Sequence, residues 1–362
     1  MSNKKLSVLG ILAAGSIVLA VLVSQYANRS KLVSAESGYL IQGLNPAAVS
    51  QIIVKQGGNA VTLNRKGNEF AISELDGYPA ATKVVNNLFT SCFDIKTVEL
   101  YTEDEKNYED LKVTEEDAQG MIKFSDSDGK LITGFIIGKD TESGKGDFAF
   151  GRLINDKKVY VLSDVPWIQG TAIEYVNREL IYVKKENVDW VTVASPNDFY
   201  SLLSDANGAV VKLKELPAGK KQKDDVCGQV LNALASLRFD DVMAESEAND
   251  LVFDHKFNCK MKDSTLINLE IAKKDSDTFI KCKAEFTDKT QVTKEEGVES
   301  QEALKQKEAK LLAHENAKKL HDTTSGWIYK IPSYIADNMT KPMSELVEDI
   351  AVEPNDVNAP QD

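Results

Sequence analysis

Four cysteines and three histidines are the residues of this chain best suited to metal or thiol chemistry. They are Cys92, Cys227, Cys259, Cys282, His255, His314 and His321. No two cysteines have C-x-x-C spacing, and no two histidines have the four-residue spacing typical of zinc ligands on a helix. Cys259 and Cys282 are predicted on two strands of one sheet, so the sequence allows a disulfide between them in an oxidising compartment. We therefore assign no catalytic, cofactor-binding or metal-ligating residue.

Two short segments begin like ion-binding loops without completing them. Residues 138–145 resemble a phosphate-binding loop, but five residues separate the glycines instead of four, and Gly146 stands where Ser or Thr would bind magnesium. Residues 126–129 begin like a calcium loop, but residues 131–137 have a strand pattern before any closing glutamate. We predict that both segments connect strands, the second as an Asp-Gly hairpin turn.

Aromatic side chains and carboxylates are the remaining candidates for ligand chemistry. Seven aromatic residues could line a sugar or peptide groove, although most are expected in the core or in strand pairs. They are Trp167, Trp190, Trp327, Tyr101, Tyr160, Tyr182 and Tyr329. No carboxylate spacing indicates an acid/base pair, and a glycosidase-type pair depends on proximity in the fold. The sequence contains no G-x-S-x-G motif and no Rossmann glycine fingerprint.

Composition limits the class of protein. The chain has 362 residues, a formal net charge of −13, 42% hydrophobic residues and 27% charged residues. These are globular proportions, and the length suggests about two domains of roughly 100–200 residues each. The acidic balance argues against a nucleic-acid partner, because such proteins usually carry a basic patch.

The N-terminus has the pattern of a membrane anchor. Residues 6–23 are 18 residues without a charge, long enough to cross a hydrocarbon core of about 30 Å. A cleaved signal peptide is the alternative, but no clear cleavage site follows. Lys4 and Lys5 favour a cytoplasmic N-terminus with the rest of the chain outside. We predict a cytoplasmic stub and transmembrane anchor over residues 1–31.

The remaining chain has a repeated pattern that predicts an α+β fold. Val49-x-x-Ile52-x-Val54 opens one copy and Val188-x-x-Val191-x-Val193 opens the other. In each copy short alternating strands, a proline, one amphipathic helix and a second β section follow. We predict two tandem related units, residues 40–180 and 181–340, each an antiparallel sheet with one helix.

Two segments fall outside this repeat. An insertion at about 288–322 interrupts the second unit, and residues 300–320 predict a polar helix with a thin apolar stripe of leucines. This helix is either a solvated arm or a helix that docks on a partner. Residues 341–362 are acidic and include Pro354 and Pro360, which predicts a disordered tail.

Several short motifs in the first copy resemble the bacterial family named domain of unknown function 4340. They are Tyr108–Leu111, Asp128–Lys130, an Ile-Gly-Lys at 137–139, the Phe-x-Phe-Gly-Arg at 148–152 and the Val-Tyr-Val-Leu at 159–162. The resemblance covers about residues 45–185, and the second copy more loosely. The Gly and Pro of the family's Gly-Leu-x-x-Pro motif are absent at residues 110–113.

This resemblance implies a working context without implying a reaction. Members are anchored by one N-terminal segment, lie outside the bacterial inner membrane, and are often encoded beside exporter-type ABC permeases and gliding-type auxiliary proteins. We therefore expect a non-enzymatic, periplasmic accessory protein that is anchored through residues 6–23 and binds an ABC permease or auxiliary subunit. The alternative is an envelope glycan- or peptide-binding protein, or a hydrolase, using a groove between the repeats. A stress-bearing spacer without a stable partner is a third reading.

Overall fold

The computed structural model describes residues 38–141, 148–293 and 299–350. The predicted anchor lies outside these residues, and no helix within them is long and apolar enough to cross a membrane. The chain forms two compact units: the first contains the residues through Ile72 and Ala80–Tyr175, and the second contains Ser73–Pro79 and the chain from Val176 onward. Both are built from antiparallel sheets with helices, so the predicted α+β class is confirmed.

The first unit is one antiparallel sheet with a helix packed on one of its two faces. The strands over this part of the chain are β1 (Gly38–Tyr39), β2 (Gln51–Gln56), β3 (Asn59–Lys66), β4 (Glu69–Ile72), β5 (Tyr78–Pro79), β6 (Lys96–Thr102), β7 (Gly120–Ser125), β8 (Leu131–Asp140), β9 (Ala149–Leu153) and β10 (Val159–Ser163). Strand β5 belongs to the second unit. The order within the first unit is β1-β6-β10-β9-β8-β7-β2-β3-β4.

Hydrophobic periodicity explains how this unit closes. Ile52 and Val54 of β2 are fully buried while Ile53 between them is only half-buried, as the two-residue period of a half-buried strand requires. Helix α1 (Thr82–Phe93) begins after the predicted proline and buries one apolar face. Its Phe89 stacks on Phe124 of β7, with ring centroids 5.4 Å apart. The opposite face of the sheet is covered by residues 105–118, which we call the first cover and which contain helix α2 (Tyr108–Leu111).

The second unit is an equivalent sheet with a smaller β-ribbon and more helices. Its strands are β11 (Glu179–Ile181), β12 (Val188–Ser195), β13 (Asp198–Ser204), β14 (Val211–Leu213), β15 (Lys220–Gln222), β16 (Leu237–Arg238), β17 (Asp241–Ala244), β18 (His255–Met261), β19 (Thr265–Lys274), β20 (Asp277–Phe286), β21 (Trp327–Ile331) and β22 (Val347–Asp349). Its helices are α3 (Asp224–Leu231), α4 (Gln301–Thr324), α5 (Ser333–Met339) and α6 (Met343–Leu346).

The two main sheets share one strand order. In the first unit the order β4-β3-β2-β7-β8-β9-β10-β6 is matched in the second by β14-β13-β12-β18-β19-β20-β21-β17. In both units the helix, α1 or α3, lies between the third and fourth of these strands along the chain. Residues 245–254 lie where the first cover lies in its own unit, packed on Phe279 and Ile328, and we call them the second cover.

The predicted insertion helix is confirmed as α4, whose Ser300 side chain caps the first turn by accepting from the Ala303 N–H. Ala313 and Ala317 are its buried residues in mid-helix, and they pack the helix against the sheet. The predicted disordered tail is wrong for residues 343–349, which form α6 and β22. Strand β22 pairs with β15, and Glu348 of β22 forms an ion pair with Lys221 of β15 at 3.0 Å. A lysine therefore neutralises one of the acidic charges on which the prediction of disorder rested.

The second amphipathic helix is shorter than its pattern predicts. Apolar spacing extends from Val226 to Leu237, but α3 ends at Leu231. Leu234 is still buried in the following turns, and Leu237 is buried in strand β16. A buried side chain at helical spacing therefore does not require helical backbone.

Candidate functional site

The motifs that carry the family resemblance meet in one packed cluster of the first unit. Arg152 of β9 reaches into the first cover, where its Nε donates to the Val113 carbonyl at 2.8 Å. Its guanidinium lies 4.6 Å from the ring centroid of Tyr108, and the Tyr108 hydroxyl donates to the Lys157 carbonyl. Its Nη1 donates to backbone carbonyls at and just after the end of β9, the shortest bond being to the Ile154 carbonyl at 3.0 Å. Arg152 therefore holds the first cover on the sheet.

Two glycines of the same motifs are required by close packing. A Cβ at Gly138 would lie 2.2 Å from the Leu111 carbonyl oxygen, and one at Gly151 would lie 2.4 Å from Leu162 Cδ1. Only glycine lets the first cover approach β8 this closely. The motifs thus describe how the cover packs, and their geometry assigns them a structural role.

The second cover is held in a similar way. Lys281 of β20 lies 4.4 Å from the ring centroid of Phe253 and forms an ion pair with Glu245 at 2.6 Å. Its hydrogen bond to Glu245 lowers the pKa of that carboxyl below its usual range. A cation over an aromatic ring therefore fastens the cover in each unit, Arg in the first and Lys in the second.

The cysteines are free and buried. Burial raises the pKa of Cys259 and Cys282 to about 12, so both thiols remain protonated. Cys259 pairs with Ile267 of β19 and Cys282 with Leu269 of the same strand, so one whole strand separates the two cysteines. Two strand spacings are about 9.6 Å, beyond the ~7 Å between Cα atoms that a disulfide allows. The disulfide left open by the sequence is not formed.

The predicted turn at residues 126–129 is confirmed. Oδ1 of Asp126 accepts from the Asp128 and Lys130 N–H groups, and Gly129 has φ of +76°. Residues 138–140 continue strand β8, while residues 142–147 lie outside the described part. Within the described ranges no group of three His, Cys, Asp or Glu side chains could hold a metal ion.

Most of the candidate aromatic residues have structural surroundings. Tyr329 is fully buried, and Trp327 packs on Tyr78 with centroids 4.9 Å apart. Tyr101 and Tyr182 are more than half exposed, and Trp167 is the most exposed of the seven, at 80%, at the rim of a first-unit groove of about 750 Å³. Asp164, at the same groove, forms an ion pair with Lys96 at 3.1 Å, and this hydrogen bond lowers the pKa of Asp164. The groove beside Trp167 is therefore a concave surface that presents an exposed aromatic ring to solvent.

A larger groove, of about 1010 Å³, lies in the second unit beside strand β14, and we call it the edge groove. Its wall combines the strand, helix α3 and the chain around β15; the lining includes Lys185, Val210, Val211, Lys212, Leu216, Gln222, Asp224, Asp225, Gly228, Gln229 and Asn232. Strand β14 is the last strand of its sheet. The Gln222 amide donates to the Val211 carbonyl at 2.8 Å and accepts from the Leu213 N–H at 2.9 Å.

The edge groove was not anticipated from the sequence. Its only local signal is the short Val211–Leu213 run followed by Pro217 and Gly219, which predicts a strand and a turn but not an open edge. An unpaired strand edge depends on where the next strand goes, and β15 pairs with β22 from the far end of the chain.

Comparison with known proteins gives one finding. The sequence model of a family described as domain of unknown function (DUF4340) matches residues 71–255, half of the chain. The predicted resemblance is thereby confirmed, although the match extends from the end of β4 through the edge groove to the start of β18. No curated protein and no solved structure matches the chain.

Proposed function

The chain belongs to the DUF4340 family, and from that premise we propose that it is a non-enzymatic accessory protein that binds another protein at the outer face of a bacterial inner membrane. The anchor is residues 1–31, with residues 6–23 in the membrane, and the two units act extracytoplasmically. The partner is an ABC-type permease or an auxiliary subunit of an export or gliding-like complex. The length and lack of charge of residues 6–23 support the anchor.

The two units are proposed to be copies of one ancestral unit. Their shared strand order, the helix at the same place, and a cation-fastened cover in each support this duplication. Eight strands in the same order would rarely arise twice independently. Duplication suits a binding protein, because one copy can diverge at its surface while the other keeps the fold.

One observation carries the binding role: helix α4 displays apolar side chains to solvent. Ala313 and Ala317 face the sheet, whereas Leu304 and Leu311 lie on the opposite side of the helix and are 52% and 57% exposed. The helix spans about 36 Å at ~1.5 Å per residue. More than half of each leucine side chain is open to solvent, and helix-in-groove recognition uses such apolar positions.

The test is purification of the tagged full-length protein in mild detergent, followed by identification of proteins that accompany it. A stoichiometric permease or auxiliary subunit is expected. The Leu304→Glu, Leu311→Glu double variant is expected to reduce recovery of that partner by about tenfold or more. The matched control, Gln306→Glu with Ala309→Glu, adds the same charges on the same helix and is expected to retain it. A solitary full-length protein contradicts the proposal.

The groove beside Trp167 favours a second candidate function, an envelope glycan- or peptide-binding protein or hydrolase. An exposed indole can stack on a sugar ring, and Asp140 and Asp164 supply polar groups beside it. Titration with soluble peptidoglycan fragments should quench the Trp167 fluorescence if this candidate is correct. A Trp167→Ala variant that binds the fragments equally well eliminates this groove.

A further inference from the structure

We propose that the edge of β14 receives an extended segment of the partner protein, which joins the sheet as an added strand and alternates apolar residues with an acidic one. This proposal rests on the protein-binding function above and names a recognition surface for it. Backbone pairing would supply the attraction and side-chain pockets the specificity, as in other cases of strand addition.

The first step concerns the backbone groups of β14. Asp205 N–H donates to the Val210 carbonyl and Lys214 N–H donates to the Ser201 carbonyl, so the alternation of antiparallel pairing turns the Val211 and Leu213 peptide groups away from β13. A neighbouring strand would offer these groups one donor and one acceptor. The Gln222 amide offers both. A side chain thus holds the position of a peptide group.

The equivalent position in the first unit is held by backbone. Ile72 of β4 pairs with Leu63 as Leu213 of β14 pairs with Leu202, so Phe70 is the counterpart of Val211. The Phe70 carbonyl accepts from the Ala80 backbone N–H at 2.8 Å. The same sheet position therefore accommodates an extended chain in one unit and is bridged by one side chain in the other.

The groove beside the edge strand is also much larger in the second unit than in the first. The groove between β4 and helix α1 is about 190 Å³, whereas the edge groove is about 1010 Å³. Gly228 of α3 forms part of its floor, and a Cβ built there meets no atom within 4 Å. Glycine weakens a helix interior relative to alanine, so Gly228 lowers the stability of α3. The absence of a side chain there leaves room for side chains of the incoming segment.

Charge specifies the chemistry of the incoming segment. Lys212 lies between the buried Val211 and Leu213, and neither Lys212 nor Lys185 has a carboxylate within ion-pair distance in the part of the chain that the structure describes. Side chains directly opposite each other on paired strands approach within about 5 Å. A carboxylate opposite Lys212, flanked by apolar residues opposite Val211 and Leu213, therefore complements the edge.

Displacing Gln222 leaves its amide with a partner. Its Nε2 also donates to Asp224 Oδ1 at 2.6 Å, a contact on the helix side of the groove. The two bonds that Gln222 gives up at β14 are replaced by two backbone bonds from the added strand. The exchange keeps the Val211 carbonyl and the Leu213 N–H of β14 hydrogen-bonded, as a buried edge requires.

The test uses the full-length chain in detergent as bait for a phage-displayed library of random decapeptides. Enriched peptides are expected to alternate apolar and acidic residues. Their affinity is expected to fall about tenfold or more for Gly228→Leu, which fills the groove. An Asn87→Leu variant adds the same side chain to an exposed position of helix α1 and serves as the matched control.

Two further measurements separate groove blocking from misfolding. Thermal unfolding of Gly228→Leu should match or exceed the wild type, because the substitution meets open space in a helix. N-methylation of alternate peptide residues should abolish binding in one register only, because an added strand pairs through one edge. Lys212→Glu should reverse the preference from acidic to basic peptides.

The proposal is overturned if no peptide is enriched, if enriched peptides bind Gly228→Leu as well as wild type, or if N-methylation has no effect. Its failure is distinguishable from failure of the accessory function. A protein that keeps its full-length partner while Gly228→Leu changes nothing has another interface, whereas a solitary protein has lost the function on which this site rests.

Discussion

Replacing Arg152 with alanine is expected to destabilise the first unit by about 3.5 kcal/mol. Its two shortest bonds, to the Val113 and Ile154 carbonyls, are 2.8 and 3.0 Å long. A hydrogen bond from a charged donor contributes about 1.5 kcal/mol at the lower end of the measured range. Stacking on Tyr108 contributes ~0.5 kcal/mol more at a partly exposed site. Partial access of water to the freed carbonyls keeps the total near the sum of these lower values.

Arg152→Lys separates charge from geometry. Lysine keeps the positive charge but lacks the planar fork that reaches several carbonyls at once, so we expect it to recover about half of the lost stability. At roughly 2–4 °C for each kcal/mol in a unit of this size, Arg152→Ala should lower the melting temperature of the first unit by about 10 °C.

Hydrogen exchange with mass spectrometry is the appropriate assay, because a two-unit protein does not unfold in one transition. Peptides covering residues 105–118 should exchange faster in Arg152→Ala, while peptides from the second unit provide an internal control. A loss below about 1 kcal/mol, or a lysine variant indistinguishable from the wild type, would refute the assignment of Arg152 as the residue that fastens the first cover.

Three further outcomes follow from the packing. Gly138→Ala should destabilise the first unit by about 2 kcal/mol or more, whereas Gly228→Ala should stabilise α3 by up to ~1 kcal/mol; equal melting temperatures would contradict this contrast. Cys259 should resist iodoacetamide until the second unit unfolds, because burial raises its pKa to about 12; rapid native alkylation is the opposing result. The Lys310 ammonium holds the pKa of Asp288 well below its usual range, so this contact is present above the ordinary aspartate pKa and is lost as pH falls through the folded value. Carbon NMR titration should show a higher midpoint in Lys310→Met, and an unchanged midpoint would exclude the ion pair as the cause.

The strands were predictable because alternation is a local signal. Ile52 and Val54 lie on β2 and Val191 and Val193 on β12, as their spacing predicts, and the Asp126–Gly129 turn follows from residue chemistry alone. Length was less predictable where tertiary contacts compete with local preference. Helix α3 ends at Leu231 although the apolar spacing continues, because turns bury the later side chains equally well.

The site was not predictable because it depends on contacts between distant residues. Gln222 has no sequence feature that marks it as a substitute for a strand, and its role depends on the path of β15 toward β22. The motifs at Gly138 and Arg152 were visible as patterns, but patterns alone do not distinguish a catalytic loop from a packed cover. The 2.2 Å approach of the Leu111 carbonyl to the position of a Gly138 Cβ makes that distinction.

The extent of the family match distinguishes recognition that is shared across the family from recognition that is particular to this chain. Residues 71–255 contain the Arg152 cluster and all of the edge-groove lining except Asn338, and helix α4 lies beyond their end. A mode of recognition common to the family is therefore expected at the β14 edge, and a preference particular to this chain is expected at Leu304 and Leu311. The Gly228→Leu and double-leucine variants distinguish these levels: loss of the partner in the first indicates the shared contact, and loss in the second alone indicates the particular one.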